Sequence, residues 1–131
     1  MQTCCAAAGV TRDTLAVDEL IVGDHVQTAE ALLTGGVAYK RGDLLGVTAG
    51  TNVVTHIADA TLANAQYIMP FDLTAGEATA HAATGRQLQF YNQGEFAQDR
   101  VYLSGVALTA PQVLAAKAAL GPRKIELRKV L

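Results

Sequence analysis

The tripeptide Arg41-Gly42-Asp43 is the first candidate for chemistry in this sequence, because it matches a cell-adhesion motif and sets a glycine beside basic residues. A phosphate loop requires Gly-x-x-x-x-Gly-Lys-Ser/Thr at the start of a helix, where backbone N–H groups face the anion. Here the glycine spacing differs, and the apolar run Leu44–Val47 predicts a strand. An adhesion loop requires a long exposed hairpin, whereas this segment is short. We therefore predict that Lys40–Asp43 is a turn, with Gly42 supplying a permissive backbone conformation and Asp43 a local hydrogen bond.

Other residues that could act as nucleophiles, bases or metal ligands do not form a familiar constellation. Ser104, the only serine, lies in YLSGV and lacks the Gly-x-Ser-x-Gly pattern of a nucleophile elbow. Cys4-Cys5 has no nearby base, and no pattern brings Asp18-Glu19 together with Glu77. The histidines are scattered, without a second ligand at metal-binding spacing. We therefore predict no catalytic residue, no metal and no cofactor; the histidines are His25, His56 and His81.

The elements that position these residues are mostly short strands. From Val26 onward, short apolar runs alternate with turn signals such as Gly35-Gly36, Gly50–Asn52, Thr74–Glu77 and Asn92–Glu95. Short strands with regular turns are typical of a small barrel or sandwich. Strands are predicted within 26–33, 37–39, 44–48, 53–58, 66–73, 88–91 and 101–103.

One helix is predicted near the end, in TAPQVLAAKAALGP. Thr109 can cap its start, and Gly121-Pro122 can end it. The apolar spacing predicts that Leu114 and Leu120 pack in the core while Lys117 points outward. The segment KIELRKVL then alternates apolar and charged residues, which predicts a half-buried terminal strand.

Composition indicates a self-associating domain. The chain of 131 residues is 50% hydrophobic with a mean hydropathy of +0.22, more apolar surface than a small monomer easily hides. The formal net charge of −2, without basic residues interleaved with aromatics, argues against nucleic acid as a partner. We expect a soluble protein, neither secreted nor membrane-bound, because the sequence has neither a signal-peptide pattern nor an apolar run of ~18 residues. The only cysteines, Cys4 and Cys5, are adjacent and cannot link distant parts of a fold, which indicates a reducing compartment.

Two regions differ in pattern. In residues 1–19, small, polar and charged residues alternate without a sustained hydrophobic period, and we predict that this segment is an extended N-terminal arm. We predict that residues 20–131 form the β-rich domain. The fold class expected is therefore mainly β: a small β-barrel or β-tulip-like domain with one short C-terminal α-helix and an extended N-terminal arm.

Five segments, taken together in their order along the chain, resemble a known protein family. They are LIVGDHV, YKRGDLLGVTAG, ANAQYIMPFDLTAGEATA, QFYNQGEF and LAAKAALGPRKIELRKVL. From Leu20 to Leu131 the chain resembles the lambda-type head decoration proteins of tailed phages. In that family, a Leu-x-x-Gly-Asp opening precedes an Arg-Gly-x-x-Leu-Gly turn and an Asp-x-Thr-Ala-Gly turn. An aromatic strand, a short helix and a closing strand follow. The segment HAATGRQ departs from this pattern by lengthening the connection before the aromatic strand.

The resemblance implies a non-enzymatic virion protein. It implies a homotrimer that binds the major capsid protein at local three-fold positions on the outer surface of the expanded head and stabilises the shell. It also implies that the N-terminal segment adds backbone hydrogen bonds to a capsid sheet. Within the arm, Leu15 and Val17 share one face of an extended strand. The candidate capsid-binding residues are Val10, Leu15, Val17, Leu20 and Ile21.

Two other functions fit parts of the sequence. A biotinyl- or lipoyl-like carrier, or another small ligand-binding barrel, would also use a glycine turn that leads into strands. Such a carrier needs a modifiable lysine at a hairpin tip, and Lys40 is the only lysine of the barrel region, although its neighbours are unsuited to that role. A trimeric structural protein of some other assembly fits the composition equally well.

Overall fold

A computed structural model describes residues 20–23 and 25–129, so the predicted arm at 1–19 lies outside the described residues. Within them, eight strands and two α-helices follow one another along the chain. The strands are β1 (Gln27–Leu33), β2 (Leu44–Val47), β3 (Val53–His56), β4 (Tyr67–Ile68), β5 (Leu88–Ala97), β6 (Tyr102–Leu103), β7 (Val106–Ala107) and β8 (Ile125–Arg128). The helices are α1 (Ala75–Thr84) and α2 (Ala110–Leu120).

The main sheet closes into a small barrel. Its strand order is β1-β3-β2-β4-β5-β8, and β1 also pairs with β5, which joins the first five strands in a ring. β1 and β3 are parallel, as are β5 and β8, whereas the other pairs are antiparallel. The predicted mainly β barrel with a C-terminal helix is therefore confirmed.

β5 is long enough to pair with three strands, among them β4, which it meets at Tyr91. Its first half pairs with β1, and its second half, from Gly94 to Ala97, pairs with β8. Gly94 has φ +140°, and a Cβ built there would lie 3.0 Å from Val26. A glycine is therefore needed where the strand changes neighbours.

The core is divided because successive residues of a strand point to opposite faces. Leu44 and Leu45 are both fully buried in β2, yet they belong to different clusters of packed side chains. One cluster includes Phe96 and Leu120, and the other is centred on Phe90. In β8, two apolar residues are buried while the charged residues between and after them are exposed, which confirms the predicted half-buried terminal strand.

The helices agree with the predictions only in part. α2 begins as predicted, with the Thr109 hydroxyl accepting a hydrogen bond from Gln112 N. The prediction of a single helix missed α1, and the predicted turn Thr74–Glu77 is a capping box at its start. Thr74 accepts from Glu77 N at 3.1 Å, and the Glu77 carboxylate accepts from Thr74 N at 2.8 Å. The added segment HAATGRQ therefore includes the end of a helix.

Candidate functional site

Asp43 is the buried centre of the Arg-Gly-Asp turn, with 1% of its surface exposed. Its Oδ2 accepts a hydrogen bond from Lys40 N and lies 2.9 Å from His56 Nε2, while its Oδ1 accepts from Gly105 N at 2.9 Å. The carboxylate thus links the turn to β3 and to the β6–β7 hairpin. The prediction that Lys40–Asp43 is a turn is confirmed, and Asp43 holds the turn inside the fold.

The backbone of this turn has no N–H group left for an anion. The four N–H groups of residues 40–43 donate, in order, to the carboxylates of Asp43 and Asp72 and to the carbonyl oxygens of Met69 and Lys40. Gly42 has φ +98°, and a Cβ at this position would lie 2.1 Å from a backbone oxygen. The glycine is therefore required by close packing of two chain segments rather than by a ligand.

The side chains beside Asp43 also make internal contacts. The Arg41 guanidinium donates to the Pro70 carbonyl and to the Tyr91 hydroxyl. The Tyr39 hydroxyl donates to the Thr34 carbonyl at 2.7 Å, and burial, with the Asp43 carboxylate adding to it, raises the pKa of Tyr39 to about 12. These residues stabilise the junction between the turn and the barrel.

Lys40 is the attachment residue that the carrier interpretation would need. Its Nζ lies 3.9 Å from the centroid of the Tyr102 ring, a cation–π contact, although the residue is exposed. Intact-mass spectrometry tests the carrier interpretation, because a carrier would show a covalent adduct on Lys40.

Ser104 lies close to a histidine–carboxylate pair because Gly105, which follows it, donates to Asp43. Such neighbours could suggest a hydrolase. Among residues 20–23 and 25–129, however, no hydrogen bond joins the Ser104 hydroxyl to His56, so the proton relay of such an enzyme is not formed. Ser104 instead has φ +50° in the turn between β6 and β7.

Residues 20–23 and 25–129 contain neither a metal-ligand cluster nor a membrane-spanning helix. No group of three or more His, Cys, Asp or Glu side chains there could hold a metal ion. No helix there has both the length and the apolar character needed to cross a membrane.

The first described residues lie along β5 and form an isolated β-bridge with it. Ile21 forms an antiparallel bridge with Phe96, Leu20 O accepts from Ala97 N at 2.7 Å, and Val22 N donates to Glu95 O at 3.0 Å. Leu20 is only 4% exposed and packs in the protein's own core, while Ile21 packs against that core. Of the candidate capsid-binding residues, these two therefore anchor the arm; Val10, Leu15 and Val17 lie outside the described residues.

The outer face of α2 corrects one prediction. Leu120 is buried as expected and Lys117 is exposed, but Leu114 is 69% exposed, so the prediction that it packs in the core is wrong. Ala116 is the other fully buried residue of the helix. Val106, in the hairpin just before α2, is 67% exposed. The helix and hairpin together present large apolar side chains to solvent.

A groove of about 610 Å³ lies beside β8, where the second half of β5 meets the end of α2. Its basic side chains are Lys117 and Lys124; its acidic ones are Glu95 and Glu126. At its edge, Arg128 forms an ion pair of 2.7 Å with Glu95. The remaining lining residues are His25, Gln93, Gly94, Gly121, Ile125 and Leu127.

The small net charge of the whole chain conceals a basic segment near its end. Five of the ten lysines and arginines fall within residues 117–129, where Glu126 is the one acidic residue. A count of charge by segment could have found it.

In comparisons with known proteins, no family model and no curated protein matches this sequence.

Proposed function

We propose that this protein is a structural component of a phage head. In this proposal it forms a homotrimer that binds the major capsid protein on the outer surface of the expanded shell, at local three-fold positions, and stabilises that shell. The observation that carries the proposal is the exposed apolar surface of α2, on a small barrel whose sequence keeps the motif order of decoration proteins. The proposed role requires no catalytic step.

The exposed face of α2 supports self-association. Helices that are apolar on every side are normally buried, and large exposed apolar patches mark interfaces. Residues four apart lie on one face of a helix, so Leu114 continues a stripe with Ala110 and Ala118. All three are exposed. A cyclic trimer would cover this stripe with a different surface of the next copy.

Attachment to the shell would use the arm. Leu20 and Val22 hydrogen-bond to β5 on either side of the Ile21–Phe96 bridge, so the described part of the chain begins on the sheet. Strand addition gains only ~0.5–1.5 kcal/mol net per hydrogen bond, while ordering the backbone costs ~1–2 kcal/mol per residue. One arm should therefore bind weakly. Three arms on a rigid trimer can gain ~10²–10⁴ in affinity through effective concentration.

The oligomeric state is tested by multi-angle light scattering. We expect three times the chain mass of 13.7 kDa, and we expect Leu114→Asp to dissociate the trimer. Ala83→Asp adds the same charge at an exposed position of α1 and is the matched control. A monomer at micromolar concentration would count against the proposal.

Shell attachment is tested by pelleting the protein with expanded, undecorated lambda-type heads. Removing residues 1–19 or substituting Leu15→Asp should sharply reduce occupancy while the trimer remains folded. Ala16→Asp is the matched control, because alternate residues of an extended strand face opposite ways and Ala16 would point away from Leu15. Equal occupancy by the intact and truncated proteins would show that the arm does not carry attachment.

A further inference from the structure

α1 is attached to the rest of the protein by few contacts. Of its ten residues, Ala78 alone is buried, at 0% exposure, and it joins the core cluster centred on Phe90. Among residues 20–23 and 25–129, one hydrogen bond ties the helix to another segment, donated by Gly36 N to Thr79 Oγ1 at 3.0 Å. Gly35 also lies against the helix, where an added Cβ would be 3.0 Å from Thr79 Cα. A buried methyl group and one exposed hydrogen bond are therefore the main attachments of α1.

The helix cannot rely on its own sequence for stability. An isolated helix shorter than ~12–15 residues is marginal in water, and most helical stability in proteins comes from the packing of an apolar face. α1 has ten residues, mainly alanine and threonine. Its capping box of Thr74 and Glu77 and its left-handed Gly85 end the helix through local bonds. These caps shape the helix but add no contact with the barrel.

α2 provides an internal comparison. It has eleven residues and is also rich in alanine, yet it buries Ala116 and Leu120 in the other core cluster. A buried leucine removes much more apolar surface from water than a buried alanine does. Two helices of similar length and composition therefore differ in how firmly they are anchored.

The bonds on either side of α1 define the limits of a segment that can detach. Before the helix, Tyr39 and Leu73 exchange two backbone hydrogen bonds of 2.9 Å. After it, residues 85–87 are exposed, and the next residue, Leu88, pairs with Ala31 at the start of β5. Residues 74–87 thus lie between two fixed points of the barrel, at the end where β1 finishes and β5 begins.

We propose that residues 74–87 form a lid, which opens as a unit while the barrel remains folded. Opening takes Ala78 out of the cluster centred on Phe90 and uncovers that end of the barrel interior. Closing restores one methyl contact and the Gly36–Thr79 bond, so the open and closed states differ little in free energy compared with unfolding of the whole protein. The lid belongs to a single copy and does not require the proposed trimer.

Hydrogen–deuterium exchange of the full-length protein, followed residue by residue by NMR, measures this opening. After correction for intrinsic exchange rates, we expect the amides of residues 79–84 to exchange at least about a hundredfold faster than the hydrogen-bonded amides of β5. They should also exchange faster than the amides of residues 116–120 in α2. Low concentrations of urea should leave the α1 rates nearly unchanged but accelerate exchange in β5, because lid opening exposes little surface.

Two variants with the same added charge test the role of Ala78. Ala78→Asp places a carboxylate in the core cluster and should hold the lid open, so the α1 amides lose their protection while the β5 amides still exchange at least about a hundredfold more slowly. Ala80→Asp is the matched control, because Ala80 is exposed and lies about 200° around the helix from Ala78. It should leave exchange in α1 and β5 within about threefold of the wild type.

Equal protection of α1 and β5 in the wild type would overturn the proposed lid, and so would an α1 as protected as α2. A urea dependence shared by α1 and β5 would show that the helix unfolds only with the barrel. Loss of β5 protection in Ala78→Asp would show the same, since helix and barrel would then form one cooperative unit.

Discussion

Replacing Asp43 should destabilise the fold more than replacing any exposed carboxylate. Its side chain is 1% exposed and makes three hydrogen-bonding contacts of 2.9 Å, with Lys40 N, Gly105 N and His56 Nε2. Hydrogen bonds to a charged group are worth ~1.5–3 kcal/mol each, so three independent bonds would total about 4.5–9 kcal/mol. They share one buried carboxylate, so the bonds are not independent; removing it leaves the N–H groups of Lys40 and Gly105 without an acceptor, at ~1–3 kcal/mol each. We expect Asp43→Ala to lower the free energy of unfolding by about 2–6 kcal/mol.

The isosteric substitution separates charge from shape. In Asp43→Asn, the amide nitrogen must face a backbone N–H, either that of Lys40 or that of Gly105, and one buried donor is left without an acceptor. This should cost at least about 1–3 kcal/mol. Asp72→Ala is the control, because Asp72 is exposed, accepts one bond from Arg41 N, and water can replace it.

The measurement is urea unfolding followed by circular dichroism at one protein concentration, since self-association would otherwise change the apparent stability. Asp72→Ala should shift the free energy of unfolding by less than about 1 kcal/mol. If Asp43→Ala also shifts it by less than about 1 kcal/mol, the carboxylate does not hold the three segments together and the reasoning fails.

The other predictions concern the surrounding packing and one titration. The pKa of Tyr39 is raised to about 12, so between pH ~10 and ~12 the unfolded chain releases the phenolic proton first, and stability falls by ~1.4 kcal/mol per pH unit. Urea unfolding across this range should show the extra slope in the wild type but not in Tyr39→Phe. In thermal unfolding, Leu120→Ala should cost ~2–5 kcal/mol, whereas Leu114→Ala should change monomer stability by less than about 0.5 kcal/mol; equal losses would contradict the burial of the two residues. Gly50→Ala should lower the free energy of unfolding by ~1–2 kcal/mol through its positive φ alone, because an added Cβ would meet no other atom. Gly42→Ala should lower it further, because its added Cβ would also clash with a backbone oxygen. Urea unfolding measures both changes, and the reverse order would contradict this reasoning.

Local signals explain the parts of the fold that were predictable. Thr109 caps α2 through its own side chain, and the Lys40–Asp43 turn closes through hydrogen bonds within four residues. These contacts depend on neighbours in sequence. The closure of the barrel depends on β1 pairing with β5, whose residues lie about sixty positions apart, and no local pattern specifies such a partner.

The helices show where pattern reasoning failed. α1 is built mainly of alanine and threonine, with no apolar stripe, so its only sequence signal was Thr74 followed three residues later by Glu77. In α2, alanine, valine and leucine occur on every side, so periodicity could not decide which side faces the core. The structure buries Ala116 and exposes Leu114, because the close approach of α2 to the 3₁₀ segment Asp59–Asn64 favours the small side chain.

The Arg-Gly-Asp segment shows why burial decides between interpretations that a motif leaves open. A receptor that recognises the tripeptide from outside needs an accessible carboxylate, and the Asp43 carboxylate is enclosed by the turn, β3 and the β6–β7 hairpin. A phosphate needs several free N–H groups, and those of residues 40–43 are all used within the chain. Freeing them would break the bonds that keep the turn in place, so the same residues cannot both hold this turn and bind a ligand through it. Neither the Asp43 carboxylate nor these N–H groups can therefore recognise a partner while the turn is folded, and the exposed apolar face of α2 is the surface that the proposed trimer would use.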